Sequence, residues 1–348
     1  MKEQKRTITS RKADHVKIVE TQDVEYRKAT GFDDVDFLHC AMPDMDMEAA
    51  DTSLYLFGKK LSSPILIDSM TGGYEGAEII NRRLAKAAQD QMVAFSFGSM
   101  RPMLKDSSQA KTYSVRNIAP DIPLIGNIGI ANLPTLNLED LETAISRLEL
   151  DALAVHFNPL QEAVQIEGDR DFTGVSEAFG RLCDRLDIPV IAKETGAGMS
   201  DSVCRKLADL GATMINVSGA GGTSWSKVEY ARKGYVQGFG EWGIPTAVSI
   251  LMCSKILPTI ASGGVRSGMD IAKSIALGAK LGAAASPFLK AGDPNQVIKD
   301  WTLQLKTVMF LTNSKKLADL GHARVTILGD LSKYMFCMGI DHFKYSQR

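Results

Sequence analysis

The chain has 348 residues, 45% of them hydrophobic, and its 40 basic and 41 acidic residues leave a formal net charge of −1. That length suits one large α/β domain with short extensions, and the balanced charge argues against a nucleic-acid groove or a polybasic membrane surface, so any anion site must be local. Cys40, Cys183, Cys204, Cys253 and Cys337 show no CxxC or CxxH spacing, residues 1–10 hold no apolar run, and the apolar stretch 244–260 is broken by Pro245, Lys255 and Pro258. These features point to a cytoplasmic protein without a disulfide framework, a zinc site or a membrane span.

Residues 1–60 precede the first strand signal and read as an N-terminal extension. Short runs of Val, Ile, Leu and Ala then recur at 65–67, 93–95, 124–126, 153–155, 190–192, 214–217, 259–261 and 281–284, nearly all followed by Gly, Ser, Thr or Asn. Continuously apolar strands are what a parallel sheet covered on both faces requires. Their mean spacing, about 31 residues, is the length of a strand plus a crossover helix. Amphipathic segments at 77–89, 138–148, 175–186, 201–210 and 269–277 fill the gaps. Eight such units predict a (β/α)8 barrel over 61–292. An open doubly wound sheet would need a phosphate loop after its first strand, but Ser69-Met70-Thr71-Gly72-Gly73-Tyr74 fits neither GxGxxG nor GxxxxGK followed by Ser or Thr. Asp293-Pro294 opens a C-terminal helical segment over 293–348, with an N-cap aspartate and a proline in the first turn.

Barrel enzymes carry their chemistry where strands end, and polar residues cluster there in this sequence. The fourth strand runs into His156-Phe157-Asn158-Pro159-Leu160-Gln161-Glu162. His156 and Asn158 share a strand face directed at the barrel mouth, with Gln161 and Glu162 on the following loop. Satisfied core polars and a solvated turn are the plainer interpretation of these four. Glu162 is a candidate Mg2+ ligand, because that ion takes one or two carboxylates and fills its shell with water and phosphate oxygens. Lys193 ends the fifth strand, where burial is costly without a partner or a cofactor anion; a snorkelling surface lysine is the alternative. Glycine-rich loops follow the sixth strand (218–225) and the seventh (261–268), and Ala284-Ala285-Ser286-Pro287 follows the eighth. A phosphate site made after strands seven and eight is common in barrels, although glycines also serve plain turns. Arg101 at the end of the second strand and Arg11-Lys12 in the extension could grip a diphosphate or simply be solvated. The long segment between the sixth and seventh strands, with Trp225 and Trp242, is expected to wall the site.

The order of these motifs is similar to that of the FMN-dependent type 2 isopentenyl-diphosphate isomerases. The resemblance rests on Arg11-Lys12-x-Asp14-His15, Phe37-Leu38-His39-x-Ala41-Met42-Pro43, Met70-Thr71-Gly72-Gly73, Gly98-Ser99-x-Arg101, His156-x-Asn158-Pro159-Leu160-Gln161-Glu162, Lys193-Glu194, Gly219-Ala220-Gly221-Gly222-Thr223-Ser224-Trp225 and Ala261-Ser262-Gly263-Gly264-Val265-Arg266. It implies that Met70, Thr71, Gly72, Ser99, Asn127, Lys193, Thr223, Gly264, Arg266, Ala284 and Ala285 contact FMN. Arg11, Lys12, Arg101, His156, Asn158, Gln161 and Thr195 would hold the prenyl diphosphate or line its pocket, and Glu162 would bind Mg2+. Gln161, His156 and Lys193 are the implied catalytic residues, and NADPH the reductant of FMN. Met100 stands where many members have Gln. Two other classes remain open: an FMN oxidoreductase of a small hydroxy acid, and a flavin- or phosphate-binding barrel without catalysis. A homo-oligomer is expected, since barrels of this kind often assemble.

Overall fold

The computed structural model describes residues 8–74, 76–233 and 236–348, with side chains described from Asp14 onward except that of Lys233. Eight parallel strands close into a barrel: Ile65–Ile67, Ala94–Ser96, Leu124–Gly129, Ala152–Phe157, Val190–Glu194, Met214–Asn216, Thr259–Ala261 and Leu281–Ala284. The last pairs with the first through Ala283 and Leu66, leaving no open edge. Each lies where the apolar runs place it. The third, fourth and fifth continue past their apolar runs through Asn127, His156 and Lys193, because Gly129 pairs with His156 and His156 with Lys193. Polar residues can prolong these strands since their side chains find partners inside the barrel.

Alternation along the strands sends Leu66, Ala94, Ile125, Ala154, Ile191, Met214, Ile260 and Leu281 into one buried cluster with Leu56 and Leu61. The latter two come from a hairpin, Leu54–Leu56 paired with Lys59–Leu61, which plugs the N-terminal end of the barrel. Helices Ala77–Asp90, Leu138–Leu148, Val175–Arg185, Asp201–Asp209, Thr246–Cys253 and Gly268–Ala276 cover the outside. Their starts are chemically marked: the Asn137 side chain accepts from the Glu139 N–H, and Ser267 Oγ accepts from the Asp270 N–H at 3.1 Å.

The extension does more than precede the barrel. Helix Ile8–Thr21 lies against helix Trp225–Lys233 over the mouth, through Ile18, Val24 and Val228. Strand Val35–Phe37 pairs antiparallel with Val325–Ile327 of the tail. The tail expected to be helical thus contributes a strand between its helices. Helix Pro294–Leu311 starts at the expected N-cap, with Asp293 accepting from the Asn295 N–H. Among the described residues no helix is long and apolar enough to cross a membrane.

Candidate active site

Two residues beyond the apolar interior positions, the same inward face carries a different chemistry. Ser96, Asn127, His156, Lys193 and Asn216 occupy the strands there, and Asp68 and Ser262 stand just past two strand ends. Except for His156, which is half-buried, all are buried, so each polar group needs a partner. They supply one another. Asn127 Oδ1 lies 2.7 Å from His156 Nδ1, Asn127 Nδ2 donates to Ser69 Oγ at 3.1 Å, and Ser69 Oγ is 2.7 Å from Ser96 Oγ. On the other side Lys193 Nζ donates to Asp68 Oδ2 at 2.8 Å, Asn216 Nδ2 donates to the same oxygen at 3.1 Å, and Ser262 Oγ donates to Asn216 Oδ1.

This polar layer floors a cavity of about 550 Å³ at the C-terminal ends of the strands, a volume within the usual range for small-molecule sites. Met70, Ser99, Asn127, Lys193, Thr223, Gly264, Arg266, Ala284 and Ala285 line it, as do Arg101, His156, Asn158, Gln161, Glu162 and Thr195. Thr71 and Gly72 are not among the residues that line it. The Thr71 carbonyl accepts from the Gly98 N–H at 3.0 Å, and a Cβ on Gly72 would meet the Tyr113 ring at 2.2 Å. Met100 is fully buried outside the cavity, so it presents no polar group there. Trp225 lines the cavity, whereas Trp242 is exposed and does not. The side chains of Arg11 and Lys12 lie outside the described residues.

After the fourth strand, Pro159 starts the short helix Pro159–Val164, which turns Gln161 and Glu162 back over the mouth. Asn158 Nδ2 donates to Glu162 Oε1 at 2.8 Å, while Asn158 Oδ1, buried, accepts from no group among the described residues. Glu162 Oε2 takes the Asp169 N–H at 2.7 Å and the Gln165 amide. Gln161 Nε2 donates to Glu229 Oε1 at 2.9 Å, and His15 Nε2 is 2.9 Å from that same oxygen. Burial by itself would raise the Glu229 carboxyl pKa, but His15, Gln161 and Arg232 outweigh it and hold the group below the ordinary carboxylate range. His15 sits edge-on to Trp225, ring centroids 5.3 Å apart, so the N-terminal helix completes the wall. Arg101 reaches Asp169 at 3.4 Å.

The loops after the sixth and seventh strands meet backbone to backbone. A Cβ on Gly222 would lie 2.5 Å from the Gly264 N, and Gly264, with φ +75°, would bring one within 2.4 Å of the Gly221 oxygen. Only glycine permits that approach, and it leaves a flat backbone cradle at the cavity edge. Arg266 flanks it, donating to the Gly221 and Gly264 carbonyls and paired with Glu25 at 2.7 Å. The arrangement fits FMN, with a backbone cradle at one edge that would accept its phosphate and a polar floor that holds a lysine. For Mg2+ the fit is that of a shared ion: no group of three or more His, Cys, Asp and Glu side chains forms a cage among the described residues, and Glu162 offers one carboxylate facing the cavity.

Asp68, Asn216 and Glu229 were not singled out by sequence, and Ser262 only as part of the glycine-rich motif after the seventh strand. Asp68 carried a signal, a charged residue directly after an apolar strand, whereas Glu229 on an amphipathic helix carried none.

The family model for FMN-dependent dehydrogenases matches residues 165–327. Over nearly its whole length the chain is similar to the isopentenyl-diphosphate delta-isomerase of Methanothermobacter thermautotrophicus, 40% identical over 352 residues covering 98% of this chain and 99% of the relative. It is likewise similar to that of Halobacterium salinarum, 42% identical with 93% and 95% covered. Among solved structures it resembles flavocytochrome b2, with a TM-score of 0.67, 16% identity and coverage of 90% of this chain and 83% of that one. Mandelate oxidase gives a TM-score of 0.60 at 16% identity, with 86% and 90% covered. At such identity the structural likeness shows the barrel fold alone.

Proposed function

The chain belongs to the isopentenyl-diphosphate delta-isomerases in their FMN-dependent form, and from that membership we propose that it interconverts isopentenyl and dimethylallyl diphosphate without net redox change, using reduced FMN and Mg2+. The observation that carries this reading is one cavity with two chemistries. Lys193 and the glycine cradle would form a flavin-binding side, and Asn127, hydrogen-bonded to His156, would join it to the polar groups of Arg101, His156, Asn158, Gln161 and Glu162.

FMN in its reduced form would supply a proton at N5 to the hydrocarbon part of the substrate. The protein's own groups bind and orient. Arg101 offers a guanidinium fork to diphosphate oxygens, and His156, its ring fixed by Asn127, offers a second polar contact. Asn158 steers the Glu162 carboxylate toward a metal carried with the diphosphate. The ionised Glu229 fixes the Gln161 amide at the cavity, and the helix bearing His15 shields the site from water. NADPH as reductant belongs to the same reading, since FMN must be reduced once and is not consumed. A cytoplasmic location is supported by five cysteines that are all free. Exposed Leu328, Phe336 and Phe343 on the tail support assembly into a homo-oligomer.

The test compares dimethylallyl diphosphate formed with NADPH consumed, anaerobically and in deuterated water. Many turnovers per reduced flavin, with deuterium in the product, are expected. Stoichiometric nucleotide consumption would instead indicate an oxidoreductase.

A further inference from the structure

We propose that Asp68 sets the charge at the cavity floor, holding the Lys193 ammonium on the barrel axis and cancelling it, so that bound FMN meets a neutral ion pair instead of a bare cation. Asp68 follows the first strand and Lys193 lies on the fifth, and in a closed eight-stranded barrel these stand opposite one another. The 2.8 Å bond between them therefore crosses the axis, with both side chains more than nine-tenths buried. The carboxylate also takes the Asn216 amide at 3.1 Å and the Ser69 N–H at 2.7 Å. Three donors hold it in place. Of the other cavity cations, Arg266 is matched to Glu25 and Arg101 to Asp169, and these two, like Lys290, are far more exposed than Lys193.

At low local dielectric a buried unit charge acts strongly on a neighbour. Reduction makes the pyrimidine end of a flavin more negative, so a bare lysine beneath it would favour the reduced form, and the carboxylate beside that lysine opposes the effect. Asp68 is thus a positioning residue that limits how far the protein favours reduced over oxidised FMN. The inference rests on the reading above, that FMN lies over Lys193.

Redox titration of FMN-loaded protein tests it without relying on turnover. In Asp68→Asn, reduced FMN should be held about tenfold more tightly relative to oxidised FMN than in the wild type, roughly 30 mV for a two-electron couple. Lys193→Met should shift the ratio the other way, and the double variant should return close to the wild type. If Asp68→Asn does not fold, the comparison of Lys193→Met with the double variant still reports the carboxylate's effect. A ratio that moves with Lys193 but not with Asp68, in either background, overturns the proposal and leaves the flavin site standing. A ratio unmoved in every variant overturns both.

Discussion

At Glu162 both carboxylate oxygens accept hydrogen bonds from the protein, Oε1 from Asn158 and Oε2 from Gln165 and the Asp169 N–H. A carboxylate has about four lone-pair sites, so one remains for a metal while the donors hold its direction. Glu162→Gln keeps the shape and removes the hard anionic ligand. Mg2+-dependent turnover should fall by more than about tenfold, while the spectrum of bound FMN stays unchanged. Ordinary turnover at ordinary Mg2+ would show that the metal is held elsewhere. At the other edge of the cavity, Gly264→Ala forces a side chain into positive φ and against the Gly221 carbonyl. Backbone strain of about 1–3 kcal/mol should part the two glycine loops, and FMN affinity should drop about tenfold or more in a fluorescence titration. Unchanged affinity would move the phosphate away from this cradle.

At the scale of elements, the N-terminal helix is the piece whose docking the site most depends on. Among the described residues its apolar seat is small, Ile18 with Val24 and Val228, backed by Val19 and Trp225. Truncating a buried isoleucine to alanine costs about 2–5 kcal/mol, more than so small an interface can lose and stay closed. Ile18→Ala should therefore free the helix without unfolding the barrel. KM for the diphosphate substrate should rise about tenfold, with FMN stoichiometry kept and faster tryptic cleavage within residues 8–21. An unchanged KM would mean that the helix is only a cover. The strand ends follow a common logic: an inward apolar residue packs the barrel, and the next inward residue two positions on is polar and faces the cavity, as Ile125 and Asn127, Ala154 and His156, or Ile191 and Lys193 do. The face was legible in sequence, whereas the hydrogen-bond ring that ties these residues together was not.

For the whole molecule, stability should depend on pH through Glu194, which alternates outward from Lys193 and is fully buried. Burial pushes its pKa up to about 7, against the opposing pull of the Ala197, Gly196 and Thr195 N–H groups and of Lys193. A carboxyl raised in the fold stabilises it most when protonated. That stability is fully present below the unfolded pKa, near 4.5, and is lost as pH rises to about 7, a difference on the order of 3 kcal/mol. Denaturant unfolding of wild type and Glu194→Gln, measured between pH 5 and 8, should show the wild type losing ground to the variant as pH rises. Parallel curves would contradict this. The extension and the tail also belong to the molecular scale, since Val35–Phe37 has its partner strand in Val325–Ile327. Ending the chain after Leu320 should lower the unfolding midpoint and expose the extension to protease.

The sequence by itself determined the barrel, through apolar strands at a regular spacing, and determined which strand ends present polar residues and glycines to the cavity, through His156, Asn158, Lys193 and the glycine pairs. These are local patterns: a residue's alternation decides its own face, whatever stands opposite. Only the tertiary structure decided who meets whom. Asp68 and Lys193 are 125 residues apart and touch because the barrel closes with their strands facing each other. Glu229 joins Gln161 and His15 because a helix after the sixth strand and a helix from the extension fold over the same mouth. Gly72 and Met100 sit inside matching motifs yet do not line the cavity, since Gly72 packs closely against Tyr113 and Met100 against the third strand. Pairing across a closed barrel depends on the stagger of its strands and the reach of each side chain, and neither is written in any local stretch of the chain.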